Sequence, residues 1–286
     1  MIERAFRGAI RRGRRWLGRK QQSNESNGHL YPGPPFAYED GNHLFEELLL
    51  HKHLRRPHFL WGALQGVNLA RALGVKRVSL IEFGVAGGNG LTALESIAET
   101  LEPIFGVTID IHGFDAVAGM PKPQDYRDLP NLIPEGFYPM DKERLELRLK
   151  RSKLHLGAIN ETMCAFIASK PAPIAFIEFD FFSYSSTLQA LHIFEADQSL
   201  LLPRIHCFFR NVLGRTLSDF AGERLAISEF NAKHENRKIA KIYGLQYYLR
   251  NVGRWVDQYY IAHIFDHDLY CRYDALIQEA TLNLRD

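Results

Sequence analysis

The chain has 286 residues, 46% of them hydrophobic and 24% charged, which is the composition of an ordinary soluble globular protein built on one main core. No apolar run approaches the roughly 18 residues needed to span a bilayer, and three scattered cysteines, Cys164, Cys207 and Cys271, exclude a disulfide framework or a zinc site and fit a reducing cytosol. The net charge of +2 is unevenly spread: the first twenty residues hold eight Arg or Lys against Glu3, which leaves the rest of the chain five units negative and argues against a nucleic-acid surface on the core.

Residues 1–20 place Ile2, Phe6, Ile10, Trp16 and Leu17 on one helical face with arginines on the other, a basic amphipathic helix without the apolar core of a secretory signal. Two readings stand for it: peripheral contact with the anionic inner face of a membrane, or a basic arm on a cytoplasmic protein. Residues 21–42 are polar and rich in Gly and Pro, a linker, so the expected division is an appendage over 1–42 and one domain over 43–286. Leu44 to Leu50 and Pro57 to Leu73 have helical periodicity, with Pro57 suited to a first turn and Gly74 to a helix end. His51, His53 and His58 lie close in sequence, but positions two apart on a helix face different ways, so solvated or cap-region histidines are expected rather than a metal site.

The stretch Val78 to Gly90, VSLIEFGVAGGNG, reads as a strand, a tight turn and a helix start, half of a nucleotide-binding βαβ unit. Gly84 suits backbone angles closed to other residues, and Gly88 and Gly90 are expected to let a ligand lie against the main chain, facing free N–H groups of the next helix. Glu82 at the strand's carboxyl end sets a negative charge on the pocket floor. That favours a cationic ligand over a pyrophosphate and points to S-adenosylmethionine, whose sulfonium and ammonium are both positive.

A helix is expected over Leu91 to Leu101, then a strand Thr108 to Phe114 ending at Asp115, where a nucleoside ribose would present its hydroxyls. The proline-rich excursion Gly119 to Pro139 reads as a mobile cover at the pocket mouth. Helix Asp141 to Leu149, strand Lys153 to Leu156, helix Glu161 to Ser169 and strand Ile174 to Phe179 follow, the last ending at Asp180. Helix Ser186 to Phe194, strand Arg204 to Phe209, helix Phe220 to Lys233 and two strands near Lys238 to Tyr243 and Trp255 to Phe265 complete an α/β fold: a mostly parallel, doubly wound, Rossmann-like sheet with helices on both faces.

Taken together, EFGVAGGNG (Glu82 to Gly90), GFDAVAGMP (Gly113 to Pro121), LHLGAINET (Leu154 to Thr162), EFDFFSYSST (Glu178 to Thr187) and HCFFRN (His206 to Asn211) resemble the class I S-adenosylmethionine-dependent methyltransferases, and within them the macrocin O-methyltransferase-like family. The resemblance covers about residues 56–265. It implies a seven-stranded sheet with the last strand antiparallel. It also implies Glu82, Gly84, Val85, Ala86, Gly88, Asn89 and Gly90 around the methionyl part of the cofactor, and Asp115 on the ribose.

The departures bear on catalysis. Where the family carries further aspartates that hold magnesium, this chain has Phe182, Arg210 and Asn211, leaving Asp180 as the one acid in place. Hard cations need several anionic oxygens, so no metal is expected. The expected activity is O-methylation of a hydroxyl on a small molecule, sugar or glycan, with Asp180, Arg210 and Asn211 at the reacting centre. The alternative is a cofactor-binding protein without turnover. A short-chain dehydrogenase reading draws on Gly84, Gly88 and Gly90, but its Tyr-x-x-x-Lys pair is met only by Tyr138 and Lys142, next to Pro139 and too early in the chain. Acceptor identity and oligomeric state, with a homo-oligomer left open, are not written in the sequence.

Overall fold

A computed structural model describes residues 44–49, 56–213, 218–249 and 252–272; the basic helix expected over 1–20, the linker over 21–42, and His51 and His53 lie outside the described residues. Helix α1 spans 44–49. Helix α2, Pro57–Ala72, starts on its proline and is buried over most of its length. A Cβ at Gly62 would come within 2.4 Å of the Phe176 ring and one at Gly66 within 2.7 Å of the Ala175 carbonyl oxygen, so the two glycines let α2 lie directly on the sheet. Its first turn is thereby held near the carboxyl ends of the central strands.

Strands β1 (Arg77–Phe83), β2 (Thr108–Asp115), β3 (Lys153–Leu156), β4 (Ile174–Phe179), β5 (Leu201–Phe209), β6 (Arg237–Lys241) and β7 (Tyr259–Ile264) form one sheet in the order β3-β2-β1-β4-β5-β7-β6. β1 to β5 pair in parallel, and β7 runs antiparallel to both β5 and β6. This is the sheet the resemblance implies. β4 is buried at all six positions and β1 at six of seven, which is why these strands read as near-continuous apolar runs. Helix α3 (Asn89–Phe105) packs with α2 on one side, while α5 (Ile159–Ala168), α6 (Tyr184–Leu191) and α7 (Gly222–Lys233) follow one another on the other.

Several boundaries move for local reasons. Helix α4 is only Lys142–Glu146, because the chain beyond it turns to donate the N–H groups of Lys150, Arg151 and Ser152 to the Glu95 carboxylate of α3. β5 begins three residues before Arg204, at Leu201, with Pro203 inside a register irregularity against β4. Trp255 belongs to a 3-10 turn, Arg254–Gln258, ahead of β7, where its ring packs between Phe45 and Tyr259.

The Gly119 to Pro139 excursion is tied down rather than free. Met120 bonds to two neighbouring residues across its neck, its N donating to Phe137 O and its O accepting Gly136 N, both at 2.8 Å, and Met140 N donates to Val117 O at 2.9 Å. Its middle is pinned by the buried Asp128, which accepts Gln124 N, Ser185 N and Ser185 Oγ at 2.8, 2.7 and 3.0 Å. The loop is thus closed on itself at its neck and joined to the β4–α6 turn through Asp128, which makes it a wall beside that turn.

Candidate functional site

Strand register assembles the site. Glu82 of β1 is directly opposite Glu178 of β4, and Glu178 opposite Phe208 of β5, so the next residues on that face, Asp180 and Arg210, also come together. The opposite face carries a row of rings, Phe114, Phe83, Phe179 and Phe209, with centroids 4.8, 5.5 and 4.5 Å apart in turn. Alternation along the strands thus places acids above the sheet and an aromatic floor below it. The sheet ladder is continued past the strand ends by Gly84 N donating to Phe114 O, Asp180 N to Phe83 O and Arg210 N to Phe179 O, at 2.9, 2.9 and 3.0 Å, which fixes the site's backbone.

Arg210 sits between two acids. Its Nη2 donates to Glu178 Oε1, and its Nε lies 2.7 Å from Asp180 Oδ2 at an angle that makes it an ion pair rather than a hydrogen bond. Asn211 donates its amide to Phe181 O at 2.9 Å and to Asp180 Oδ1 at 3.4 Å, and its backbone N–H goes to Glu223 Oε2 at 2.8 Å. Gln258 donates to the Arg210 carbonyl. Glu82, Glu178 and Glu223 are essentially without solvent contact, and each keeps one carboxyl oxygen with no partner.

Burial dominates their ionisation. It lifts the Glu178 carboxyl to about 8 against the pull of Arg210, and holds Glu82 well above the usual carboxylate range with Glu178 adding to the rise. Glu223 is raised well above that range by burial, and Asp180 is raised too, with Arg210 and the Asn211 amide opposing. Of the two expectations for His58, the cap-region one holds, since it sits in the first turn of α2 and is not solvated: its ring lies tilted at 4.5 Å from Phe208, and burial, then the charges of Arg210 and Arg56, push it down to about 3. It is held neutral there, its Nε2 buried without a partner.

Above these groups is a cavity of about 190 Å³ lined by Arg56, Glu82, Gly84, Val85, Ala86, Gly87, Asn89, Gly90, Asp180 and Arg210. Of the residues singled out in the sequence, the structure brings together Glu82, Gly84, Val85, Ala86, Asn89, Gly90, Asp180 and Arg210 on this cavity, with Asn211 behind Asp180. Two stand elsewhere. A Cβ on Gly88 would meet Leu145 Cδ1 at 2.0 Å, so Gly88, at φ 71°, serves the packing of α4 rather than the approach of a ligand. Asp115 does not line the cavity; its Oδ2 accepts Ala86 N at 2.9 Å and its Oδ1 Val117 N at 2.7 Å, holding two non-glycine residues at φ 44° and 69°. Each of its oxygens retains a further lone pair.

Arg56, Glu178 and Glu223 were not legible as site residues. Arg56 reads as a cap before Pro57, Glu178 as a polar break in IAFIEF, and Glu223 as a first-turn acid of a surface helix. Register reveals Glu178, and only tertiary packing brings Arg56 to the cavity and Glu223 to the Asn211 backbone. Gly90 has a clear role: a Cβ there would lie 1.8 Å from Glu82 Oε1. Gly90→Ala is therefore expected to cost about 1 to 3 kcal/mol of stability by overpacking. A melting curve identical to the parent's would contradict the placement of the Glu82 carboxyl.

No family model matches the chain, and no curated protein matches it. Among solved structures it is similar to CalS11, a calicheamicin methyltransferase, at 19% identity over 86% of this chain and 99% of that one, with a TM-score of 0.48. It is also similar to the O-methyltransferase TomG of Streptomyces achromogenes, involved in tomaymycin synthesis, at 17% identity over 82% and 92% with a TM-score of 0.39. An O-methyltransferase of Bacillus cereus gives 16% identity over 82% and 91% with a TM-score of 0.38. At these scores no functional weight rests on the likeness, and the site's own residues must carry it.

Proposed function

We propose that the chain is an S-adenosylmethionine-dependent methyltransferase acting on a hydroxyl group. One observation carries the reading: Glu82, buried with an unpaired carboxyl oxygen, and Asp180 line a cavity directly over a glycine turn, while Glu178, also buried with an unpaired oxygen, is paired with the Arg210 that lines it. A buried unpaired carboxyl oxygen is costly unless a ligand completes it. A cationic ligand does so, and Glu82 held against Gly90 leaves the turn open on the cavity side. Arg56 on the same cavity is suited to the ligand's carboxylate. Asp115 has lone pairs left for ribose hydroxyls while it fixes the turn through Ala86.

Bound there, S-adenosylmethionine supplies an electrophilic methyl carbon on its sulfonium. The protein's part is to orient an acceptor hydroxyl and receive its proton. Asp180 is placed for both: Arg210 and Asn211 hold its two oxygens in a fixed plane, and burial makes its carboxyl more basic than a free aspartate. Arg210 is a positioning residue for Asp180. Proximity then accounts for much of the rate.

The same residues do not fit magnesium. A permanent cation occupies the space between Glu178 and Asp180, Phe182 offers no oxygen, and Asn211 has its amide nitrogen turned toward Asp180 and Phe181 O. In calorimetry S-adenosylmethionine and its demethylated product are expected to bind and NADH not to. Methyl transfer, measured with labelled cofactor, is expected to persist in EDTA. Absence of S-adenosylmethionine binding sinks the reading, binding of NADH in its place returns the dehydrogenase, and loss of turnover in EDTA overturns the metal-free site.

A further inference from the structure

We propose that the mouth of this site takes its acceptor by the flat face of a neutral ring, stacked against Tyr138 and Phe182; this deepens the methyl-transfer reading above and rests on it. Phe182 follows Asp180 by two residues, and its neighbour Ser185 anchors the 119–139 loop through Asp128. The loop thereby presents Tyr138 to Phe182 with the two rings 11° from parallel and their centroids 6.4 Å apart. Phe137 stands edge-on to Tyr138 at 5.9 Å. Phe137 and Tyr138 are 50% and 53% exposed, so this aromatic wall includes rings that folding leaves facing solvent, in a loop joined to the turn that follows the half-buried Asp180.

Tyr138 is held at φ 62°, a backbone region that bulky residues avoid. The loop's hydrogen-bonded neck and its Asp128 pin keep it there, although burial gains little from the ring. Such a placement is explained when the ring's face is used by something else. Aromatic faces bind the C–H face of a pyranose or the face of an aryl ring, and both chemistries bring hydroxyls. Charge selects against anions: Arg210 is engaged by Glu178 and Asp180, Arg127 of the same loop, lying over Tyr184, is engaged by Asp125, Arg56 is taken by the cofactor's carboxylate, and the charge nearest Phe182 along the chain is the Asp180 carboxyl. A neutral ring is the acceptor these surroundings favour.

The test uses the full chain saturated with S-adenosylhomocysteine and saturation-transfer NMR on two matched pairs. These are methyl glucopyranoside against methyl glucuronide, and catechol against protocatechuate. A neutral ring is expected to show transfer and its acid partner not, and the pair that responds tells pyranose from aryl. Tyr138→Gly relaxes the backbone while deleting the ring, so it folds; it and Phe182→Leu are expected to weaken ring binding roughly fivefold to tenfold, and Tyr138→Phe to retain it. No transfer from either neutral ring, equal or stronger transfer from the acids, or an unchanged signal in Tyr138→Gly would overturn the proposal. Calorimetry on the same samples separates the two levels. Normal S-adenosylhomocysteine binding with no ring effect defeats this inference alone, and absent binding defeats the methyltransferase reading and this with it.

Discussion

Arg210→Met is expected to lower stability by about 1 to 2 kcal/mol at pH 8, because it leaves the partly exposed Asp180 and the ionised fraction of the buried Glu178 without their cation. For a domain of this size that corresponds to a melting temperature about 5 °C lower. Methionine keeps the apolar stem that Arg210 lays beside Phe208, 5.9 Å from its guanidinium carbon to the ring, so the loss reports charge rather than packing. The effect should depend on pH. Near pH 5.5 Glu178 already holds its proton, since burial raises it to about 8 even with Arg210 present, and the penalty shrinks. Adding Glu178→Gln to Arg210→Met should recover much of the loss at pH 8, where the single variant is worst. A melting curve shifted equally at both pH values would mean that the guanidinium acts as filler, and would remove the basis for giving it charge of its own in the site.

That pairing shows where sequence reading succeeds and where it stops. β1, the glycine turn and β4 were legible because a strand buried on both faces is a short apolar run bounded by breakers, and because Gly84 at φ 85° needs what only glycine gives cheaply. The same pattern hid Glu178, since one acid in a buried strand looks like noise until register sets it opposite Glu82. Arg210 was found as a departure from a motif and placed with Asp180 at the reacting centre, without the second acid that holds it. Only its contacts show it neutralised from two sides. Gly88 and Gly90 are indistinguishable in sequence, yet one packs against Leu145 and the other against Glu82. The 119–139 loop illustrates the converse: its composition is that of a flap, and one buried carboxylate, Asp128, fastens it. Helix ends such as that of α4 were missed where a distant side chain, Glu95, captured the backbone.

Stability should pass through a broad maximum between about pH 4.5 and 6.5, because two sets of buried groups oppose each other across that range. Glu178, Glu82 and Glu223 are raised in the folded state by burial, so each keeps its proton where the unfolded chain has lost it. Their contribution is complete below the unfolded value of 4.5 and is lost as pH rises; for Glu178 alone the loss between pH 6.5 and 8 is about 2 kcal/mol. His58, His206 and His112 are depressed by burial to about 3, 3 and 4, so they remain neutral where the unfolded chain takes up protons. Their contribution is complete above 6.5 and is lost as pH falls, at about 1.4 kcal/mol per unit for each. Between 4.5 and 6.5 three rising and three falling slopes nearly cancel. Below 4.5 the histidines act together with carboxylates that their partners hold low, Glu195 at about 2 and Glu95, Glu102 and Asp110 among them, and above 6.5 the buried carboxyls dominate. Urea unfolding from pH 3.5 to 8.5 should show both limbs, with Glu178→Gln flattening the alkaline one and His206→Phe the acid one. A cationic ligand in the cavity favours the ionised acids, so saturating S-adenosylmethionine should lift the alkaline limb most. Stability that climbs steadily from pH 6.5 to 8 without ligand would show that the carboxyls are already ionised and solvated in the free protein, and the buried, protonated acids described above would not exist.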